Sequence, residues 1–111
     1  MNTRDDIREI FYRLPEVFVP EKAGNLNAKI LIELSGEGAS SWVVNIANGQ
    51  IRAEEGSISN PDMTLQMEGR DYVALTKGNA NPMALFAQGK IKMQGNMGLA
   101  MKFSQMFNRP K

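Results

Sequence analysis

The stretch Trp42-Val-Val-Asn-Ile-Ala-Asn-Gly-Gln-Ile-Arg-Ala-Glu-Glu55 decides the fold. Trp42, Val44 and Ile46 alternate with Val43, Asn45 and Ala47, the period of two that a half-buried strand requires. Asn48-Gly49 follows at once, and both residue types accept the positive φ of the tight turn that joins two antiparallel strands. Residues 50–55 must therefore run back beside 42–47. Upstream, beyond the turn Gly36-Glu-Gly-Ala-Ser40, Ala28, Ile30, Ile32 and Leu34 alternate with Lys29, Leu31 and Glu33 as another strand. Downstream, after the turn Asn60-Pro61-Asp62, Met63, Leu65 and Met67 alternate with Thr64, Gln66 and Glu68, giving a fourth strand with a methionine-rich inner face. Lys90-Ile-Lys-Met-Gln94, set between Gly89 and Gly95, makes a fifth with Ile91 and Met93 inward.

Around these strands the period is helical. Ile7, Ile10, Phe11 and Leu14 fall on one face and predict a helix over 4–14 that Pro15 ends, with residues 16–27 as a connector punctuated by Pro20 and Gly24. A short helix over 70–77 stops at Gly78; Asn81 as N-cap and Pro82 at the first position open another, Met83–Gln88, that Gly89 stops. Asn96 caps a last helix over 97–107. At about 100° per residue, Leu99, Phe103, Met106 and Phe107 share one face of it, and Met97 and Met101 form a second stripe. One stripe suffices for docking. The second must meet core, partner or ligand, and Gly98 allows a close approach.

The composition narrows the function. The chain has 111 residues, 42% apolar and 23% charged, which suits a single domain over 1–111 able to bury a core unaided. It has no cysteine and no histidine, so thiolate chemistry, histidine general bases and the usual zinc ligands are missing. The acidic pairs Asp5-Asp6 and Glu54-Glu55 are adjacent and point apart, and the glycine clusters lack phosphate-loop spacing. The expectation is a protein that is not an enzyme, with no cofactor and no metal. The longest apolar run, Met83–Ala87, is too short to cross a bilayer, and the charged N-terminus and Arg109-Pro-Lys111 C-terminus carry no secretory or peroxisomal address, so a cytoplasmic location is expected.

Charge is uneven: residues 69–111 hold seven basic and one acidic side chain, whereas residues 1–68 hold six and eleven. The basic residues are scattered singly without interleaved aromatics, which argues against nucleic acid as a partner, leaves a nucleic-acid binder as the weakest reading, and reads first as a solvated face. Seven of the eight methionines lie at Met63 or beyond. Methionine suits adaptable apolar surfaces, and on the residues alone gap-filling core and a lipid-accommodating cavity weigh equally.

Leu75, Gly78, Asn81-Pro82, Phe86, Gln88-Gly-Lys-Ile-Lys92 and Gly95-Asn-Met-Gly-Leu-Ala-Met-Lys102, together with Trp42-Val-Val and Asn48-Gly49, closely resemble the sterol carrier protein 2 family. The resemblance spans nearly the whole chain and is weakest before Asn27. It implies an α+β fold, a five-stranded mainly antiparallel sheet with helices covering one face and an apolar tunnel between them. It further implies non-catalytic binding and transfer of a long-chain lipid such as a fatty acid, a fatty acyl-CoA or a sterol-like molecule, with transient membrane contact. The candidate lining is Trp42, Val44, Leu75, Met83, Phe86, Met97, Met101 and Phe103. Lys90, Lys92 and Lys102 would attract an anionic headgroup or membrane, against the plainer reading of solvated charge. The competing reading is an interaction module whose methionine-rich face docks a partner protein or a second copy.

Overall fold

In a computed structural model, the described residues are 3–105, without the side chains of Pro82, Ala100, Met101, Ser104 and Gln105. The chain opens with α1 (Thr3–Tyr12), α2 (Leu14–Val17) and α3 (Pro20–Ala23), then lays down β1 (Ala28–Ser35), β2 (Ser40–Ala47), β3 (Gln50–Glu55) and β4 (Met63–Glu68). It continues with α4 (Gly69–Thr76), α5 (Pro82–Ala87), β5 (Lys92–Gly95) and α6 (Met97–Gln105). All five strands lie in one sheet in the order β3-β2-β1-β4-β5. The Asn48-Gly49 turn is formed as its residue types demand, with φ of 55° and 74°, and it sets Ile46 opposite Ile51.

Three of the four strand pairings are antiparallel, and β1 and β4 run parallel with Ile30 beside Met63 and Ile32 beside Leu65. A parallel neighbour needs a connection that returns across the sheet, and residues 56–62 provide it between the end of β3 and the start of β4. Asp62 secures the arrival twice: its carboxylate accepts from the Lys29 N–H at 2.8 Å, and its own N–H donates to the Lys29 carbonyl at 2.8 Å.

Alternation decides which face is covered. Ile30, Ile32, Leu34, Trp42, Val44, Ile46, Met63, Leu65 and Met67 are buried in one cluster with Ile7, Phe11, Leu14 and Phe18 from the N-terminal helices and Tyr72, Leu85, Ile91 and Leu99 from the later part. The helices cover this face only. Leu31 and Val43, which the alternation turns the other way, are also buried, but outside that cluster; they are paired neighbours at the middle of the sheet.

Sequence and structure differ most before Asn27. Residues 16–27 are not a plain connector, because Pro15 and Pro20 each stand in the first turn of a short helix, a position where the missing proline N–H costs nothing. These turns bury Leu14, Phe18 and Ala23 against the sheet. β5 begins two residues later than the alternation predicts, although Ile91 is buried as expected. Met106 and Phe107 lie outside the described residues. No helix among the described residues is long and apolar enough to cross a membrane.

Candidate functional site

The eight candidate lining residues divide between two regions of the covered face. Trp42 and Val44 belong to the first. Trp42 stacks on Phe11 with ring centroids 4.4 Å apart and planes 12° from parallel, and Phe11 stacks in turn on Tyr72 at 5.0 Å and 15°. Tyr12 meets the Trp42 ring edge-on at 6.1 Å. The indole N–H donates to Ser40 Oγ at 3.0 Å, and the Ser40 hydroxyl donates to the Gly38 carbonyl at 3.2 Å. Such ring pairs add to ordinary area burial, so α1 is bound to the sheet here by geometry as well as by exclusion of water. Burial pushes the Tyr72 hydroxyl well above its ordinary range, which keeps it neutral.

A close backbone approach completes this region. A Cβ on Gly69 would lie 2.5 Å from the Glu37 carbonyl oxygen, so glycine alone lets the first turn of α4 settle against the β1–β2 turn.

The second region is the β4–β5 side, where α4 and α6 pack on the methionine-rich strand and α5 adds Leu85 to the same core. Leu85 from α5, Ile91, and Leu99 from α6 are buried there, and Leu75, Met93 and Phe103 are partly buried against the same core. Asn81 Oδ1 accepts from the Met83 N–H at 2.8 Å and Asn96 Oδ1 from the Leu99 N–H at 3.1 Å, so both predicted caps are present and fix the rotation of their helices. That rotation turns Leu85 inward and leaves Met83 at 74% and Phe86 at 42% exposure. Met97, at the start of α6, is 52% exposed. The side chain of Met101 lies outside the described residues. The tight neighbour of Gly98 is the Asn96 cap, whose Oδ1 would stand 3.3 Å from an added Cβ.

The structure thus packs Leu75 and Phe103 each partly buried against the core, buries Trp42 and Val44 within it, and turns Met83, Phe86 and Met97 to the surface. Leu85 was missed as an inward residue. Its signal was available: with Asn81 as cap, Leu85 is the one large apolar residue of α5 opposite Met83.

Among the clefts lined by described residues are two that include none of the eight residues. One, of about 540 Å³, lies at the ends of β1 and β4, where Lys90 and Lys92 stand with Glu33, Glu68 and Asp71. It is polar: Gln66 donates to Glu33 at 2.8 Å, Arg70 pairs with Glu68 at 3.7 Å, and Asp71 Oδ2 is buried without a hydrogen-bond partner. The other, of about 590 Å³, lies between the α1–α2 corner and the β2–β3 hairpin. Among the described residues no group of three or more acidic side chains is arranged to hold a metal ion.

Human sterol carrier protein 2 is 38% identical over 95 residues, which cover 86% of this chain and 17% of the human protein. The chain therefore spans less than a fifth of that relative's length. Among solved structures, sterol carrier protein domain 2 of Helicoverpa armigera superposes with a TM-score of 0.69 at 32% identity, covering 89% of this chain and 83% of that one. The palmitated sterol carrier protein 2-like 2 of Aedes aegypti shares the fold with a TM-score of 0.75 at 22% identity, over 95% of this chain and 93% of that one. The sequence model of the SCP-2 sterol transfer family matches residues 9–108, and with these relatives beside it the chain belongs to that family.

Proposed function

We propose that the protein binds and transfers a long-chain lipid without chemical turnover, and that the acyl portion enters between β4–β5 and helices α4, α5 and α6. The observation that carries this reading is α5: a helix of six apolar residues that, among its described side chains, buries Leu85 alone in the core. A wall so lightly attached can move aside, and Met63, Met67 and Met93 of the same core are side chains that adapt to a new neighbour. In this reading Leu75 and Phe103 line the acyl chain from α4 and α6, with Met97 and Met101 beside them. Trp42 and Val44 stay out of contact with it.

The energetics are adequate. At ~0.8 kcal/mol per buried CH₂, a chain of about 16 carbons offers on the order of 10 kcal/mol, from which ordering and the displacement of α5 subtract several. Micromolar binding remains. Displacement of a fluorescent fatty acid by unlabelled fatty acids, acyl-CoAs and sterols tests the reading and ranks the ligands; flat titrations across all three classes would overturn it. Incubation with acyl-CoA should release no more free CoA than buffer does, since the sequence has neither cysteine nor histidine to attack the thioester.

A docking module is the second reading, favoured by the exposed Met83, Phe86 and Met97. Organic extraction of freshly purified protein followed by mass spectrometry separates the two, because a carrier leaves the cell loaded and a docking module does not.

A further inference from the structure

Among the described residues β3 is an edge of the sheet, paired with β2 on one side and with no strand on the other. The opposite edge, β5, offers four residues only. The Gly56 N–H donates to the Ser41 carbonyl at 2.9 Å, and from that contact the antiparallel register makes Val43 with Glu54, Asn45 with Arg52 and Ala47 with Gln50 the hydrogen-bonded pairs. The N–H and C=O groups of Ile51, Ala53 and Glu55 therefore point outward along the edge. No backbone hydrogen bond joins them to another element among the described residues, and such a row of open groups is a template for another strand.

Open edges are commonly guarded by charge, and the plain reading of Arg52 and Glu54 is such a guard. Ile51 and Ala53 face the core, so Arg52 and Glu54 stand on the other face, where both are exposed and pair with each other at 3.7 Å. Opposite signs two residues apart repel a strand of uniform charge. They do not repel the same strand reversed. Only Ile51, Ala53 and Glu55 have hydrogen bonds to give, which limits how two antiparallel copies can meet. Centring the pair on Arg52 or on Glu54 sets like charges directly opposite, which is destabilising, and centring it on Ile51 or Glu55 overlaps only part of the edge. Centring it on Ala53 uses every open group and sets Arg52 against Glu54 twice.

We propose that β3 pairs with β3 of a second copy about a twofold axis at Ala53, continuing the sheet from one chain into the other, with Arg52 of each copy opposite Glu54 of its mate. Tyr12 and Val17, both exposed, stand on helices that border β3 and add apolar surface to the joint. β5 lies at the far end of the sheet, so the pairing leaves the candidate acyl site open and does not depend on the carrier reading. One short strand pair is at the small end of specific interfaces, which makes the dimer weak and dependent on concentration.

The test is analytical ultracentrifugation of the full chain from micromolar to millimolar concentration. The expected result is a reversible monomer–dimer equilibrium, weakened by salt. Arg52→Glu alone, or Glu54→Arg alone, sets like charges opposite at both sites and should weaken association about tenfold. An equimolar mixture of these two variants should recover it, as should the chain carrying both substitutions, because each restores opposite charges across the joint. Ala53→Pro removes an N–H that the fold does not use and should abolish association; if that variant fails to fold, the charge variants still decide. A chain monomeric throughout overturns the proposal. So does a dimer unchanged by these substitutions, or single variants that weaken it without recovery in the mixture. A dimer that Met83→Ser with Phe86→Ser removes instead would place the joint on α5 and overturn it equally. Fatty-acid displacement, run on Arg52→Glu beside the wild type, should be the same in both, so that failure of lipid binding is read apart from failure of pairing.

Discussion

Around Trp42 the sheet is roofed by rings stacked on rings, with Phe11 at 1% and Trp42 at 2% exposure; around Met83 a short helix meets the core, among its described side chains, through Leu85 alone. Both regions are rich in apolar residues, so hydrophobic content does not distinguish them. What differs is how much of each side chain leaves water and how many elements share it. The stack joins α1, α4 and β2, and losing any member exposes the others. α5 can leave without uncovering much else, which is the condition for local opening below the free energy of global unfolding. In a lipid carrier the rigid half would keep the fold while the loose half exchanges cargo.

The comparison breaks most directly at Phe11. Phe11→Ala removes the middle ring of three and should cost about 3–5 kcal/mol in urea unfolding, a large fraction of the roughly 5–15 kcal/mol that holds a domain. A cost below about 1 kcal/mol would mean that the stack does not bind α1.

Leu85→Ala is the matching experiment on the loose side. Deleting a buried leucine usually costs ~2–5 kcal/mol, but the loss here is capped by the free energy that docks α5. The global midpoint should fall less than for Phe11→Ala, while amide exchange over residues 82–87 becomes nearly unprotected. Equal global losses in the two variants would make the sheet one cooperative body and end the distinction.

Trp42 is the only tryptophan, and its emission reports on the rigid half alone. Lipid binding on the β4–β5 side should leave that emission unchanged while protecting the amides of α5; a shifted or quenched spectrum would put the ligand beside Trp42. Tyr72 adds a pH test of the same region. Its hydroxyl is raised in the folded state, so the stabilisation is complete below the ordinary tyrosine range, near 10, and is lost as pH rises from there through the folded value. Melting temperature should fall more steeply above pH ~10 in the wild type than in Tyr72→Phe.

Much of this was legible in the chain. The sheet came from alternation at Ala28–Leu34, Trp42–Ala47 and Met63–Met67 and from Asn48-Gly49, because a strand with one wet face must carry a period of two. The parallel β1–β4 pair was not legible: alternation states which way a side chain faces and nothing about which strand lies alongside. The helical turns at Pro15 and Pro20 were hidden because proline signals both a stop and a first turn, and only Leu14 and Phe18 finding the core decides between them. At the candidate site, residue type pointed to Met83 and Phe86, whereas the inward position belongs to Leu85; the rotation of α5, fixed by the Asn81 cap, had to be combined with composition to see it.

The smallest expected effect is at Phe86, and it closes the comparison because the same residue type stands in both halves. Phe86 is 42% exposed, so much of its ring is already in water in the folded state and its loss leaves no cavity behind. Phe86→Ala should change unfolding free energy by no more than about 0.5–1 kcal/mol, against the several expected at Phe11. Phe86→Ser should be as mild, since the new hydroxyl faces solvent and needs no partner. A loss of about 3 kcal/mol in either variant would mean that Phe86 is packed in solution, with α5 turned or covered. The acyl site would then run along its present outer face.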